Sequence, residues 1–247
     1  MKKWIFCIMM ALTMVNGHWS TAEGQNVQFL YDLGHTLYGD LTGRPNITTT
    51  VEMFKPDKWG STFLFTDIDY YTDGAAGVYW EITRKFTVHK EWALHLEYNG
   101  GATSIEHTAI ASRFQHAVLV GPSWNWVSAN HQNNFSVSAL YKQYFKGMGR
   151  KAFSSVQGTV VWGFNFVNGL LTASGFCDVW YDPDVKGKVS FLSQPQFWVN
   201  LNTLKGMDGI NLSLGTELNV SNNFIYNDKG ENDKFFVIPS LAAKWTF

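Results

Sequence analysis

Cysteine is almost absent. Cys7 lies near the amino terminus and Cys177 stands alone in the rest of the chain, so no internal disulfide can staple the fold. After Val15 there is no run of about 18 apolar residues, which excludes a membrane-spanning helix there. Charged residues are only 16% of the chain, and neither a basic cluster nor a glycine-rich phosphate loop occurs, so nucleic acid is not an expected partner. No linker, repeat or low-complexity stretch divides the chain into domains. Catalytic groupings are missing as well. Beyond the first 22 residues the histidines are His35, His89, His95, His107, His116 and His131. None has the His-x-Ser-Asn-Gly context of a barrel phospholipase, and His131-Gln132-Asn133-Asn134 has no paired serine nearby. His95 and Glu97 share a strand face, but a metal site needs three or four ligands. His95 therefore reads as a solvated residue, and no catalytic residue, metal or cofactor is expected.

What the chain has is aromatic and dispersed: 16% aromatic residues and 22 glycines, with a slightly negative mean hydropathy. Lys2 and Lys3, the uncharged apolar run Trp4 to Val15, and the small residues Ser20-Thr21-Ala22 predict a cleaved export signal over residues 1–22. A single domain over 23–247 follows. At the other end, Phe235, Val237, Pro239, Leu241, Ala243, Trp245 and Phe247 alternate with Ser240, Lys244 and Thr246. In a strand this makes one greasy face and one mixed face. Such a terminal aromatic strand resembles the signal read by the barrel assembly machinery of the bacterial outer membrane, with Phe247 as its handle.

Segments of roughly ten alternating residues fill the chain between these ends. They run from Gln25 to Leu33, Asn46 to Phe54, Trp59 to Tyr71, Val78 to Phe86, Glu91 to Asn99, Gln115 to Val127, Phe135 to Phe145, Ser155 to Phe166, Leu170 to Tyr181, Lys188 to Leu201, Ile210 to Val220, and Phe235 to Phe247. The fold expected is all-β, a transmembrane antiparallel β-barrel of about 12 strands. Pro122 with Trp124 and Trp126 can end or bulge the sixth segment. Connections after odd strands (Gly34 to Pro45, Thr72 to Gly77, Gly100 to Phe114, Lys146 to Ser154, Asp182 to Gly187, Ser221 to Lys234) are mostly the long ones. Short periplasmic turns and long external loops therefore put both termini in the periplasm. If a long external loop folds inward as a plug, Gly100 to Phe114 and Ser221 to Lys234 are the candidates.

Assigning the apolar member of each alternation to lipid leaves a polar inner face. It reads Asp32, Glu52, Glu81, Lys85, His95, Glu97, Gln157, Asn165, Asp178, Trp180, Gln194, Gln196, Trp198, Asn211, Glu217, Asn219 and Lys244. A packed soluble core does not tolerate so many ionisable groups, whereas a wet pore does. In the third strand Phe63, Phe65, Asp67 and Asp69 share one face. Acids near the membrane midplane are costly, so both aspartates go inside and the two phenylalanines follow. With Tyr79, Phe176, Trp180 and Trp198 they give an aromatic, acidic lumen. Such a lining suits a solute with a flat π system and several hydroxyls.

The stretch Thr48-Thr49-Thr50-Val51-Glu52-Met53-Phe54, then Lys55-Pro56-Asp57-Lys58-Trp59-Gly60 leading into Phe63, Phe65, Asp67 and Asp69, resembles the Tsx-like nucleoside-specific channels and related outer-membrane proteins. The resemblance implies a monomeric outer-membrane barrel of about twelve strands that passes nucleosides. The residues taken to line the pore and meet the solute are Phe63, Phe65, Asp67, Asp69, Glu81, His95, Glu97, Asp178, Trp180, Trp198 and Glu217. The expected partners are outer-membrane lipid, a small solute and the assembly machinery. A non-conducting barrel serving as an adhesin or scaffold has a similar sequence, and a lipid-modifying enzyme is the remaining alternative.

Overall fold

The computed structural model describes residues 24–104, 111–147 and 149–247. The expected signal segment, His107 and the centre of the loop from Gly100 to Phe114 lie outside the described residues. Fourteen strand segments form one antiparallel sheet: β1 (Gly24–Asp32), β2 (Ile47–Asp57), β3 (Gly60–Tyr71), β4 (Gly74–His89), β5 (Trp92–Ser104), β6 (Ala111–Arg113), β7 (Ala117–Val127), β8 (Asn134–Tyr144), β9 (Phe153–Phe166), β10 (Leu171–Tyr181), β11 (Val189–Ser193), β12 (Gln196–Asn200), β13 (Leu212–Asn222) and β14 (Phe235–Thr246). β6 and β7 both pair with β5, and β11 and β12 both lie between β10 and β13. The fourteen segments therefore make twelve staves. The carboxyl-terminal strand closes the ring against the first, with Phe29 opposite Ala243 and Gln28 opposite Lys244. Closure pairs every edge, as a sheet in hydrocarbon requires.

The packing is inverted relative to a soluble protein. On the outer face Leu241 is 65% exposed and Val156 64%, while on the inner face Gln28 is 1% exposed and Ser123 0%. Apolar side chains meet lipid and polar ones face each other across the interior, so the alternation of the sequence is read directly into two environments.

Prolines mark where the ladder lapses, because they carry no donor. Pro122 lies within β7 opposite Leu94, and the pairing of β7 with β8 resumes beyond it in the same register. The sixth stave thus neither ends nor bulges at Pro122. Gln194 and Pro195 separate β11 from β12. Facing that break is Gly175, whose φ of +148° is open to few residues other than glycine.

Two connections differ from expectation. The stretch from Thr72 to Gly77 is mostly strand, because Tyr71 pairs with Gly74 across a tight turn at 72–73. Conversely, residues 201–211 form a long connection on the short-turn side, and Asn211 lies in it rather than on the inner wall. The segments 33–46, 145–152, 182–188 and 223–234 share the opposite end, which the loop asymmetry assigns to the cell exterior.

Candidate functional site

All eleven candidate residues point into the barrel, but they divide between packed wall and accessible lining. One packed arc runs across β5, β7, β8 and β9. His95 Nε2 lies 2.8 Å from Glu97 Oε2, both side chains are buried, and Thr83 donates to the same carboxylate. Lys142 Nζ donates to Gln157 Oε1 at 2.7 Å beside the apolar cluster Ala117, Leu119 and Leu140. His95, 3% exposed and in hydrogen-bond contact with Glu97, is therefore packed wall and not the solvated residue expected from its strand position. A second packed arc runs across β12, β14 and β1. Trp198 is 1% exposed against Leu30 and Ala242, its indole N–H donates to Gln196 Oε1, and the Lys244 ammonium lies 4.2 Å from its ring centre.

Between the packed arcs the lining keeps accessible surface, and there it is aromatic and acidic. β2 and β3 register Thr50 against Asp67 and Thr48 against Asp69. Each threonine hydroxyl donates to its aspartate, at 2.5 and 2.6 Å. This fixes both carboxylates on the inner face. From Phe63 a ladder of rings climbs through Phe65, Tyr79 and Phe114, with centroid separations of 6.0, 5.7 and 6.5 Å. Glu81 lies beside the ladder and accepts a hydrogen bond from Tyr79 Oη. Across the barrel, β10 presents Phe176, Asp178 and Trp180 on its inner face. Asp178 accepts from the Thr159 hydroxyl at 2.6 Å, and Trp180 meets Phe224 edge-on at 5.8 Å. Glu217 is half-buried and accepts from Gln196 at 2.8 Å.

Inward acids on the strands (Asp32, Glu52, Asp67, Asp69, Glu81, Glu97, Asp178, Glu217) outnumber the inward bases Lys85, Lys142 and Lys244. Lys85 is tied to Asn125 and Ser136, and Lys142 also lies over the rings of Tyr144 and Trp180. Among the described residues no group of three or more His, Cys, Asp or Glu side chains converges as a metal site.

The external mouth is partly covered. Leu41, from the connection 33–46, and Ile225, from 223–234, bury themselves on the inward-facing Phe236 and Ile238 of β14, with Tyr38 edge-on to Phe236. The two loops are latched by Asp228, which accepts from the Thr42 hydroxyl at 2.7 Å and from the Thr42 and Gly43 amides. Lys234 donates to Asp40 in the same cover. Loop 223–234 is one of the two candidate plugs named from the sequence, and loop 33–46 is not. Two large apolar residues, Phe236 and Ile238, at the loop end of the inner face of β14, are the signal that a cover exists. Phe114, Lys142 and Tyr144 were also missed as inner residues. Alternation places Lys142 and Tyr144 inside once Tyr141 is given to lipid.

The Thr42 hydroxyl and the backbone amides hold the Asp228 carboxyl below its usual range. A lowered carboxyl pKa means the latch acts above the ordinary carboxylate pKa and is lost as pH falls through the lowered value. Amide exchange across 223–234 should therefore stay slow through mildly acidic pH and rise only below the ordinary carboxylate range. Asp228→Ala should show fast exchange already at neutral pH, and slow exchange in that variant would mean the cover is held without the latch.

A closed antiparallel barrel, apolar outside and polar inside, is the architecture of bacterial outer-membrane proteins, and this chain is one of them. A family model described as a domain of unknown function, DUF5020, matches residues 24–247, so the chain belongs to that family. Among solved structures, the NanC porin in a rhombohedral crystal form aligns with a TM-score of 0.56 and 10% identity, covering 90% of this chain and 100% of the porin. The outer membrane channel DcaP of Acinetobacter baumannii aligns at 0.40 with 10% identity, covering 94% and 100%. At such identity the NanC likeness shows a shared fold. No curated protein matches the sequence.

Proposed function

We propose that the barrel is an outer-membrane channel for passive uptake of small hydrophilic solutes, with nucleosides as the preferred class. The observation that carries this reading is the accessible ladder Phe63, Phe65, Tyr79 and Phe114 beside Asp67, Asp69 and Glu81. A base stacks on any of the rings for roughly 1–3 kcal/mol, and the carboxylates accept hydrogen bonds from sugar hydroxyls. Several weak sites in a row speed transit, because no single one holds the solute. The resemblance of the Trp59-Gly60 and Phe63 to Asp69 stretch to Tsx-like channels supports the same solute, while the porin fold supports only passive passage of small solutes. The apolar cover of Leu41 and Ile225 favours a second reading, a non-conducting barrel.

The excess of inward acids favours cations over anions, an effect that weakens as salt screens it. In planar bilayers under a salt gradient the reversal potential should indicate cation preference, and Asp67→Asn with Asp69→Asn should move it toward zero. An unchanged potential would remove both residues from the conducting path. A folded barrel that carries no current would favour the second reading.

A further inference from the structure

We propose that the outer wall of β8, β9 and β10 is a docking site for one phosphorylated glycolipid of the outer leaflet, with an acyl chain in a wall groove and phosphate on the lysines above it. The groove, of about 530 Å³, exists because Gly158 is paired with Ala139 on one side, so its floor lies low there, and with the outward-facing Val179 on the other. Tyr141, Val156 and Tyr181 stand around it as outward-facing walls. At its upper end the surface turns polar, where Tyr141 Oη donates to Gln143 Oε1 at 2.7 Å and lies 2.9 Å from Ser154 Oγ. That change marks the border between acyl chains and headgroups.

Charge above the groove selects the occupant. The strands that form it end in loops 145–152 and 182–188, which carry Lys146, Arg150, Lys151, Lys186 and Lys188 against only Asp182 and Asp184. Arg150 holds both acids, at 2.5 and 2.7 Å, and Lys186 pairs with Asp233. Lys146, Lys151 and Lys188 are exposed and form no ion pair among the described residues. Three uncompensated ammonium groups spread over two adjacent loops fit a headgroup with more than one phosphate, and an anionic lipid gains from each lysine near it. Because this end of the barrel faces the exterior, the lipid comes from the outer leaflet. An apolar groove alone would bind any chain, so the lysines are what make the site specific.

Two variants test the site by native mass spectrometry of the purified full barrel in mild detergent. Gly158→Phe fills the groove, and a Cβ built at Gly158 meets nothing within 4 Å, so the barrel has room for it. Lys151→Gln with Lys188→Gln removes two of the charges without touching the wall. The probes, at equal concentration, are a bisphosphorylated and acylated glucosamine disaccharide, the same lipid stripped of phosphate, and phosphatidylethanolamine. Wild-type protein should retain one bisphosphorylated lipid at least about fivefold more than either other probe, a difference within reach of a few screened charge contacts. Both variants should fall to the level of the stripped lipid. Equal retention of the phosphorylated and stripped forms, preference for phosphatidylethanolamine, or wild-type retention in either variant would overturn the proposal. So would a barrel dimer lost in Gly158→Phe, which would make a second copy the occupant.

Discussion

Replacing Gly175 by valine is expected to lower the fraction of folded barrel sharply. The residue holds φ at +148°, and a Cβ there would lie 2.4 Å from the Gln194 carbonyl oxygen, 2.9 Å from Pro195 Cα and 3.0 Å from the Trp162 ring. Two of those three neighbours are backbone, fixed where Pro195 interrupts the tenth stave, so they cannot swing aside. Backbone strain of about 1–3 kcal/mol and overpacking of a similar size add at one point. Together they consume much of a stability of roughly 5–15 kcal/mol. The fraction that migrates as a compact, heat-modifiable band in denaturing electrophoresis reads the outcome. Gly158→Val is the matched control, since its outward side is open, and it should fold as the wild type does. Equal folding of the two variants would mean that the approach of Gly175 to Gln194 and Pro195 does not constrain assembly.

Removing two central rungs of the ring ladder should have the largest effect on transport. Phe65 and Tyr79 are 5.7 Å apart, and each also touches a further ring, so Phe65→Ala with Tyr79→Ala breaks the ladder in its middle. Losing stacking of about 1–3 kcal/mol per base, where 1.4 kcal/mol is tenfold, should cut the preference for nucleosides over hexoses by about tenfold. The wider lumen should admit hexoses at least as fast as before, so the ratio of the two rates is the quantity to measure. An unchanged ratio would separate the ladder from selectivity.

The barrel was legible because its two environments differ so sharply. In β5, Trp92, Leu94, Leu96 and Tyr98 can only face lipid if Ala93, His95, Glu97 and Asn99 face inward, and they do. The face of β3 was legible from cost alone, since lipid would not accept Asp67 and Asp69. The threonine partners that hold them are cross-strand neighbours, visible only once the register is known. The division of the inner face into packed wall and accessible lining was not legible. His95 and Trp198 follow the same alternation as Glu81 and Trp180. Their burial depends on what other staves bring against them, Leu30 and Ala242 in the case of Trp198, and no local pattern encodes that. The tight turn at 72–73 was hidden for a related reason, because the glycines and alanines of β4 resemble a loop until β3 pairs with them.

Uptake into liposomes bearing the purified, folded barrel tests the central claim most directly, with swelling rates compared for nucleosides and for hexoses. Nucleosides should enter faster although they are larger, and the difference should shrink when Phe65 and Tyr79 are replaced together. Equal rates would leave a general pore for small solutes, and no swelling from a folded barrel would contradict the channel itself.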